Sequence, residues 1–140
     1  MREVVTHLNF DENCRAAMEF YKKCFGADLY LMPFSEMPGD LPKQAREAKD
    51  RIMHASLTKG FRFLMAADTM PGMPLQQGNN FTVSIQSESL QEIESLFTAL
   101  GEKGKIIMPL QATFWTARFG MLTDQFGINW MFNFEQPKQA

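Results

Sequence analysis

Apolar and polar residues alternate over residues 4–10, the period-two pattern of a strand with one buried face. Polar residues 11–13 then offer helix caps and first-turn acids. Cys14, Ala17, Met18, Tyr21 and Phe25 follow at helical spacing and form one apolar stripe, which Gly26 ends. A second strand is expected at residues 28–37, and then a polar connector at 38–50 with a short helical turn over 44–50. Residues 51–59 and 61–68 predict a hairpin turning at Lys59-Gly60. Residues 69–79 hold two prolines and two glycines and predict a linker. Strand, helix, strand, strand, strand then returns. The second round has a strand at 81–86 and a capping box from Ser89 to Glu92. A helix stripe of Leu90, Ile93, Leu96, Phe97 and Leu100 comes next, followed by strands at 105–110, 115–123 and 128–134, with the last turn at 124–127.

The two rounds echo each other in sequence. LTKGFRFLM at 57–65 returns as LTDQFGINWMF at 122–132, read as the same hairpin with a turn longer by two residues. FYKKCFG at 20–26 returns as LFTALG at 96–101. Two copies this long are two modules and not a short-period solenoid. The organisation expected is an α+β chain of tandem βαβββ modules, 1–68 and 80–140, joined by the linker 69–79, with a cleft between or beneath the modules.

Period two also assigns strand faces. Leu8 and Phe10 should meet the first helix, and Phe81, Val83 and Ile85 the second, with Trp130, Phe132 and Phe134 on that same side. The opposite face then carries Val5, His7 and Asn9, Asn80, Thr82, Ser84 and Gln86, and Asn129, Met131 and Asn133. If Thr123 pairs with Ile128, Arg118, Gly120 and Leu122 join that second face. A half-polar sheet face in a small domain predicts a lined cavity. Alternation alone leaves the face of His54 open.

Composition narrows the function classes. Hydrophobic residues make up 45% of the 140, which suits a packed core, and no run approaches the ~20 apolar residues that span a bilayer. Net charge is −2 with no basic stripe, which excludes nucleic acid as the expected partner. The first ten residues form a strand pattern and not a signal peptide, so the expectation is a cytoplasmic protein. Cys14 and Cys24 lie on one predicted helix, separated by about 15 Å of rise, and cannot form a disulfide. No P-loop or G-x-G-x-x-G sequence supports a nucleotide or methyl-donor site, and no nucleophile elbow is present.

FDENCRAAMEFYKKCFGAD, the pair Met53-His54 and MPLQATFWTARFGMLTDQFGINWMFN resemble the PhnB-like branch of the vicinal oxygen chelate superfamily. That superfamily includes glyoxalase I, extradiol dioxygenases, and fosfomycin and bleomycin resistance proteins; its PhnB-like branch is also labelled demethylubiquinone methyltransferase-like. The resemblance covers nearly the whole chain. It implies a curved, mostly antiparallel sheet per module around a cleft, and a homodimer.

Metal-using members hold a divalent ion with His and Glu on the first and last strand of each module. The resemblance places these positions at Val5 and Leu64, and at Asn80 and Met131, with Leu64 and Met131 taken as counterparts. Val, Leu and Met cannot serve a hard divalent ion, so no metal and no other cofactor is expected. The expected ligand is a small organic molecule, with neither nucleic acid nor membrane as partner. Its cleft would be lined by His7, Asn9, His54, Asn80, Thr82, Ser84, Trp115, Arg118, Met131 and Asn133. Methionines such as Met32, Met65, Met108 and Met121 would add adaptable apolar lining, and residues 38–50 a lid or a plain connector. An alternative is a glyoxalase-type lyase or isomerase, or a transferase acting on a small oxyanion. It would use His7 as acid or base and Arg118 as the anion clamp. A dimer that binds only partner protein is the remaining reading.

Overall fold

A computed structural model describes residues 1–36, 39, 43 and 50–135. Most of the connector 38–50 and its helical turn, and Met37, lie outside the described residues. The chain divides into two compact units, Met1–Gln76 and Gln77–Ala140. Unit 1 contains β1 (Thr6–Phe10), α1 (Cys14–Phe25), β2 (Asp28–Pro33), β3 (Ile52–Lys59) and β4 (Phe61–Asp68). Unit 2 contains β5 (Val83–Ser87), α2 (Leu90–Leu100), β6 (Lys105–Gln111), β7 (Arg118–Thr123) and β8 (Asn129–Phe134). Each is therefore βαβββ. The strand orders are β1-β4-β3-β2 and β5-β8-β7-β6, and in both sheets the first pair is parallel and the others antiparallel. Among the described residues no helix is long and apolar enough to cross a membrane.

Several strands are shorter than the alternation predicts. The first begins at Thr6 and not at residue 4. The second ends at Pro33, which lacks the N–H a ladder needs; the register shifts there and a 3₁₀ turn, Phe34–Glu36, follows. Phe81 precedes β5 and is exposed, so Val83 and Ile85 alone take the half-buried positions under α2. Phe114 and Trp115 sit in the loop before β7.

One face of each sheet packs on its helix. Cys14, Ala17, Met18 and Tyr21 on α1 are fully buried, as are Ala55, Leu57, Leu64 and Ala66 of the sheet. In unit 2 Ile93, Leu100, Leu122, Trp130 and Phe132 are buried, and the Phe97 ring meets Phe132 edge-on at 5.0 Å.

The cap of α1 comes from far along the chain. Asn13 makes no side-chain cap bond. Instead the Asp68 carboxylate, at the end of β4, accepts the Cys14 N–H at 3.0 Å and the Ile52 N–H at 2.8 Å. An anion at a helix N-terminus satisfies orphan N–H groups and complements the helix dipole. The predicted local acids, Asp11 and Glu12, pair with Arg51 instead. Burial, and then the charge of Asp68, push the Cys14 thiol up to about 12, so it packs as an inert hydrophobe. At α2 the capping box forms in altered shape. Ser89 Oγ accepts the Glu92 N–H, and the Glu92 carboxylate reaches back to the Glu88 N–H.

The last hairpin corrects the expected register. Asp124 Oδ1 accepts the N–H groups of Phe126 and Ile128, and Oδ2 accepts the indole N–H of buried Trp130 at 2.8 Å. These bonds, with Gly127 at φ 89°, draw Ile128 into the turn. Thr123 therefore pairs with Asn129 and not with Ile128. A one-residue slip exchanges sheet faces. Arg118, Gly120 and Leu122 consequently pair with Phe134, Phe132 and Trp130 and lie on the helix side. Seven residues separate Leu122 from its partner Trp130, against six between Leu57 and Leu64, so this hairpin is longer by one residue and not two. The counterpart of Leu64 is thus Trp130, both buried, and Met65 is the counterpart of Met131.

Two consequences can be measured. Asp68→Ala leaves two N–H groups without acceptors in a buried site and should lower unfolding free energy by about 2–4 kcal/mol in urea, with Asp68→Asn costing less. Gly120 lies under α2 so closely that a Cβ would come within 2.9 Å of the Phe97 ring. Gly120→Ala should cost about 1–3 kcal/mol; an unchanged urea midpoint would contradict the helix-side register.

Candidate functional site

With the helix faces fixed, the opposite face of each sheet can be read row by row, since directly paired residues share a face. In unit 1 one row is Tyr30, Ser56, Met65 and His7 across β2, β3, β4 and β1. Next to it Met32 pairs with His54, and Ala67 with Asn9. His54 thus takes the same face as His7, which alternation had left open, and its ring lies 6.2 Å from that of Tyr30. Although α1 packs on the other side, Ser56 on this face is buried, and His54, Met65 and Ala67 are half-buried. Tyr30, His7 and Asn9 are the exposed members.

Desolvation, and secondarily the charge of His54, hold His7 below the ordinary histidine value of 6.5. His7 is therefore a neutral imidazole at pH 7, able both to donate and to accept a hydrogen bond.

In unit 2 the corresponding row is Ser84, Met131, Met121 and Met108, and the next is Gln86, Asn133, Phe119 and Gln111. Hydrogen bonds join Asn133 to Gln86 within this second row and Gln86 to Ser84 of the first. Gln86 Nε2 donates to Ser84 Oγ at 2.9 Å, and Asn133 Nδ2 donates to Gln86 Oε1 at 2.8 Å. Trp115 stacks edge-on against Phe119 at 5.7 Å, with Phe114 against Trp115 at 4.7 Å.

The expected residues thus divide. His7, Asn9 and His54 come together in unit 1, and Ser84, Met131 and Asn133 in unit 2, with Trp115 beside Phe119. Asn80 and Thr82 precede β5 and are exposed. Arg118 is on the helix side, where its guanidinium donates to its neighbour's Ala117 carbonyl at 2.7 Å. Gln86, placed on the non-helix face by alternation, was not named as a site residue, and Tyr30, Ser56 and Phe119 were not placed on it at all. Strand pairing was the missing signal, because each lies opposite or diagonal to a named residue.

The metal positions inferred from the resemblance also shift. Val5 and Asn80 lie outside the strands, and Leu64 is on the helix side. The equivalent face positions are His7 with Met65, and Ser84 with Met131. One imidazole, a hydroxyl and thioethers do not fit a divalent ion that prefers His and carboxylate ligands. Among the described residues no group of three or more His, Cys, Asp and Glu side chains could hold a metal. An open depression of about 550 Å³ beside the end of α2, lined by Phe97, Thr98, Ala99, Gly101, Glu102 and Ile106, is on the other side of sheet 2 from these rows and has Glu102 as the one titratable group of that lining.

Residues 2–132 match the family model described as 3-demethylubiquinone-9 3-methyltransferase. Protein YjdN of Escherichia coli (strain K12) is 34% identical over 95% of this chain and 97% of its own length. The crystal structure of protein PA1353 from Pseudomonas aeruginosa shares 42% identity at TM-score 0.85, covering 98% of this chain and 100% of that one. A putative 3-demethylubiquinone-9 3-methyltransferase, PhnB protein, from Bacillus cereus is 24% identical at TM-score 0.75, over 95% and 99% of the two chains. The fold alone is shared with a possible glyoxalase from Bacillus cereus, at 19% identity and TM-score 0.53 over 93% and 97%. With paired βαβββ units and a family match over nearly its whole length, the chain belongs to the PhnB-like, 3-demethylubiquinone-9 3-methyltransferase-like family, on the glyoxalase/bleomycin resistance fold.

Proposed function

We propose that the protein binds a small organic molecule on the sheet faces turned away from its helices, without a metal. The observation that carries this is the composition of those faces. Their central rows interleave imidazole, amide, hydroxyl and phenol groups with methionine and aromatic side chains, and they contain no charged side chain. Such a surface offers apolar contact area with a few directional polar groups, the usual make-up of a small-molecule site. Methionine thioethers adapt to irregular ligand shapes.

The alternative is a lyase or isomerase that uses His7 as base. In its favour is the lowered His7 value, which keeps the imidazole ready to accept a proton at pH 7. The oxyanion-transferase form loses its clamp, because Arg118 pairs on the helix side.

Two measurements bear on these ideas. An amide-resolved NMR screen with uncharged aromatic and heteroaromatic fragments should shift resonances of His7, His54, Met65, Ser84 and Met131. Hits confined to the helix surfaces, or a stoichiometric divalent ion in elemental analysis of the purified protein, would defeat the proposal. The pH dependence provides the second. The unfolded chain takes up the His7 proton before the folded one does. That share of stability is intact above about pH 6.5 and is lost as pH falls through the folded value. The drop in urea midpoint between about pH 7.5 and about pH 5 should be smaller in His7→Gln than in the parent chain; an equal drop would show that His7 is not held neutral.

A further inference from the structure

The unit 2 face contains a polar chain that ends on an unused acceptor. Ser84 Oγ receives Gln86 Nε2, Gln86 Oε1 receives Asn133 Nδ2, and Asn133 Oδ1 is buried with no donor. Asn133 Nδ2 also approaches Glu135 Oε1 at 3.4 Å. The amide is therefore oriented: its donor side is engaged by Gln86 and Glu135, and its oxygen is left over. A buried carbonyl oxygen without a donor carries an unrecovered desolvation cost, and this is recovered when a donor is brought to it. Phe119 lies directly across the strand pair from Asn133, and Trp115 and Phe114 extend the aromatic surface outward. Trp115 and Phe114 are exposed, although Trp130, the other indole of the chain, is buried.

We infer that this part of unit 2 is the specificity element of the binding face. It takes the planar, uncharged ring of a ligand against Phe119 and Trp115 and receives a ring O–H or N–H at Asn133 Oδ1. Edge and stacking contacts supply affinity for the ring, and the oriented amide selects for the donor, since a ligand lacking it leaves the oxygen unpaired. Anionic ligands are disfavoured, because the Glu135 carboxylate stands beside Asn133 and the row itself, Gln86, Asn133, Phe119 and Gln111, carries no cation. The oxygen is shielded from water in the free protein, so binding requires the side chains over it to part. Ligand entry should therefore change the environment of Trp115.

This inference rests on the small-molecule binding proposed above, and the test separates the two. The ¹⁵N-labelled full chain is titrated with phenol, with toluene (near-isosteric, no donor) and with benzoate (anionic). Phenol should shift the Phe119, Asn133 and Trp115 resonances and bind more tightly than benzoate. The toluene-to-phenol Kd ratio should fall about ten-fold in Asn133→Leu, a comparison that cancels the greater hydrophobicity of toluene. Gln86→Leu, at an exposed position, frees the amide to rotate and should lower the same ratio several-fold even if Asn133→Leu does not fold. A ratio unchanged in the variants, or benzoate binding more tightly than phenol, overturns the inference. Shifts confined to the His7 and His54 rows would overturn it too and leave the general binding proposal standing. If no probe moves either face, both fail.

Discussion

A buried carboxylate that accepts backbone N–H groups organises each unit. Asp68 joins the start of α1, the start of β3 and the end of β4 through two bonds to Cys14 and Ile52. Those segments are 54 and 16 residues away from it in sequence. Helix placement over the sheet, and hence which sheet face stays free of helix, follows from that attachment. In unit 2 the buried carboxylate is Asp124, which acts within eight residues of chain to shape one turn and hold the Trp130 indole. The same chemistry, satisfying orphan N–H groups with a buried acid, thus fixes a helix in one copy and a strand register in the other.

The Asp124 turn has the larger effect on the make-up of the free face. Because side chains alternate with period two, including Ile128 in the turn sends every β7 residue to the opposite face from that expected. Gly120 and Leu122 then fill the space beneath α2, where only a glycine allows Phe97 to come so near. Arg118 goes with them, and the free face loses its one expected cation. Phe119, Met121 and Thr123 take its place. A surface expected to clamp an anion becomes one of amide, thioether and aromatic groups, which suits an uncharged ring. At the positions equivalent to the metal ligands of the wider superfamily stand His7 with Met65 and Ser84 with Met131, and Met65 and Met131 are true counterparts.

The duplication decided how much could be read in advance. Two βαβββ modules, the helix stripes, Gly26 as a helix end and the hairpin at Gly60 all depend on local spacing, and local spacing is written in the chain. His7, Asn9, Ser84 and Asn133 were placed on their faces correctly, because each lies in a strand whose alternation continues without interruption. The errors lie where a tertiary bond overrides the local pattern. Asn13 is a good capping residue by type, yet the cap comes from Asp68. Arg118 was misplaced by a turn whose length depends on a carboxylate aimed at backbone donors.

By itself, then, the sequence determined the architecture and the family, because periodicity, breakers and residue types express themselves within a few residues. The tertiary structure alone decided that His54 joins His7 and Tyr30, that Arg118 leaves the free face, and that Asn133 has an acceptor to offer. Those outcomes depend on strand pairing and on long-range hydrogen bonds. Pairing sets which side chains become neighbours, and a shift of one residue reverses them all.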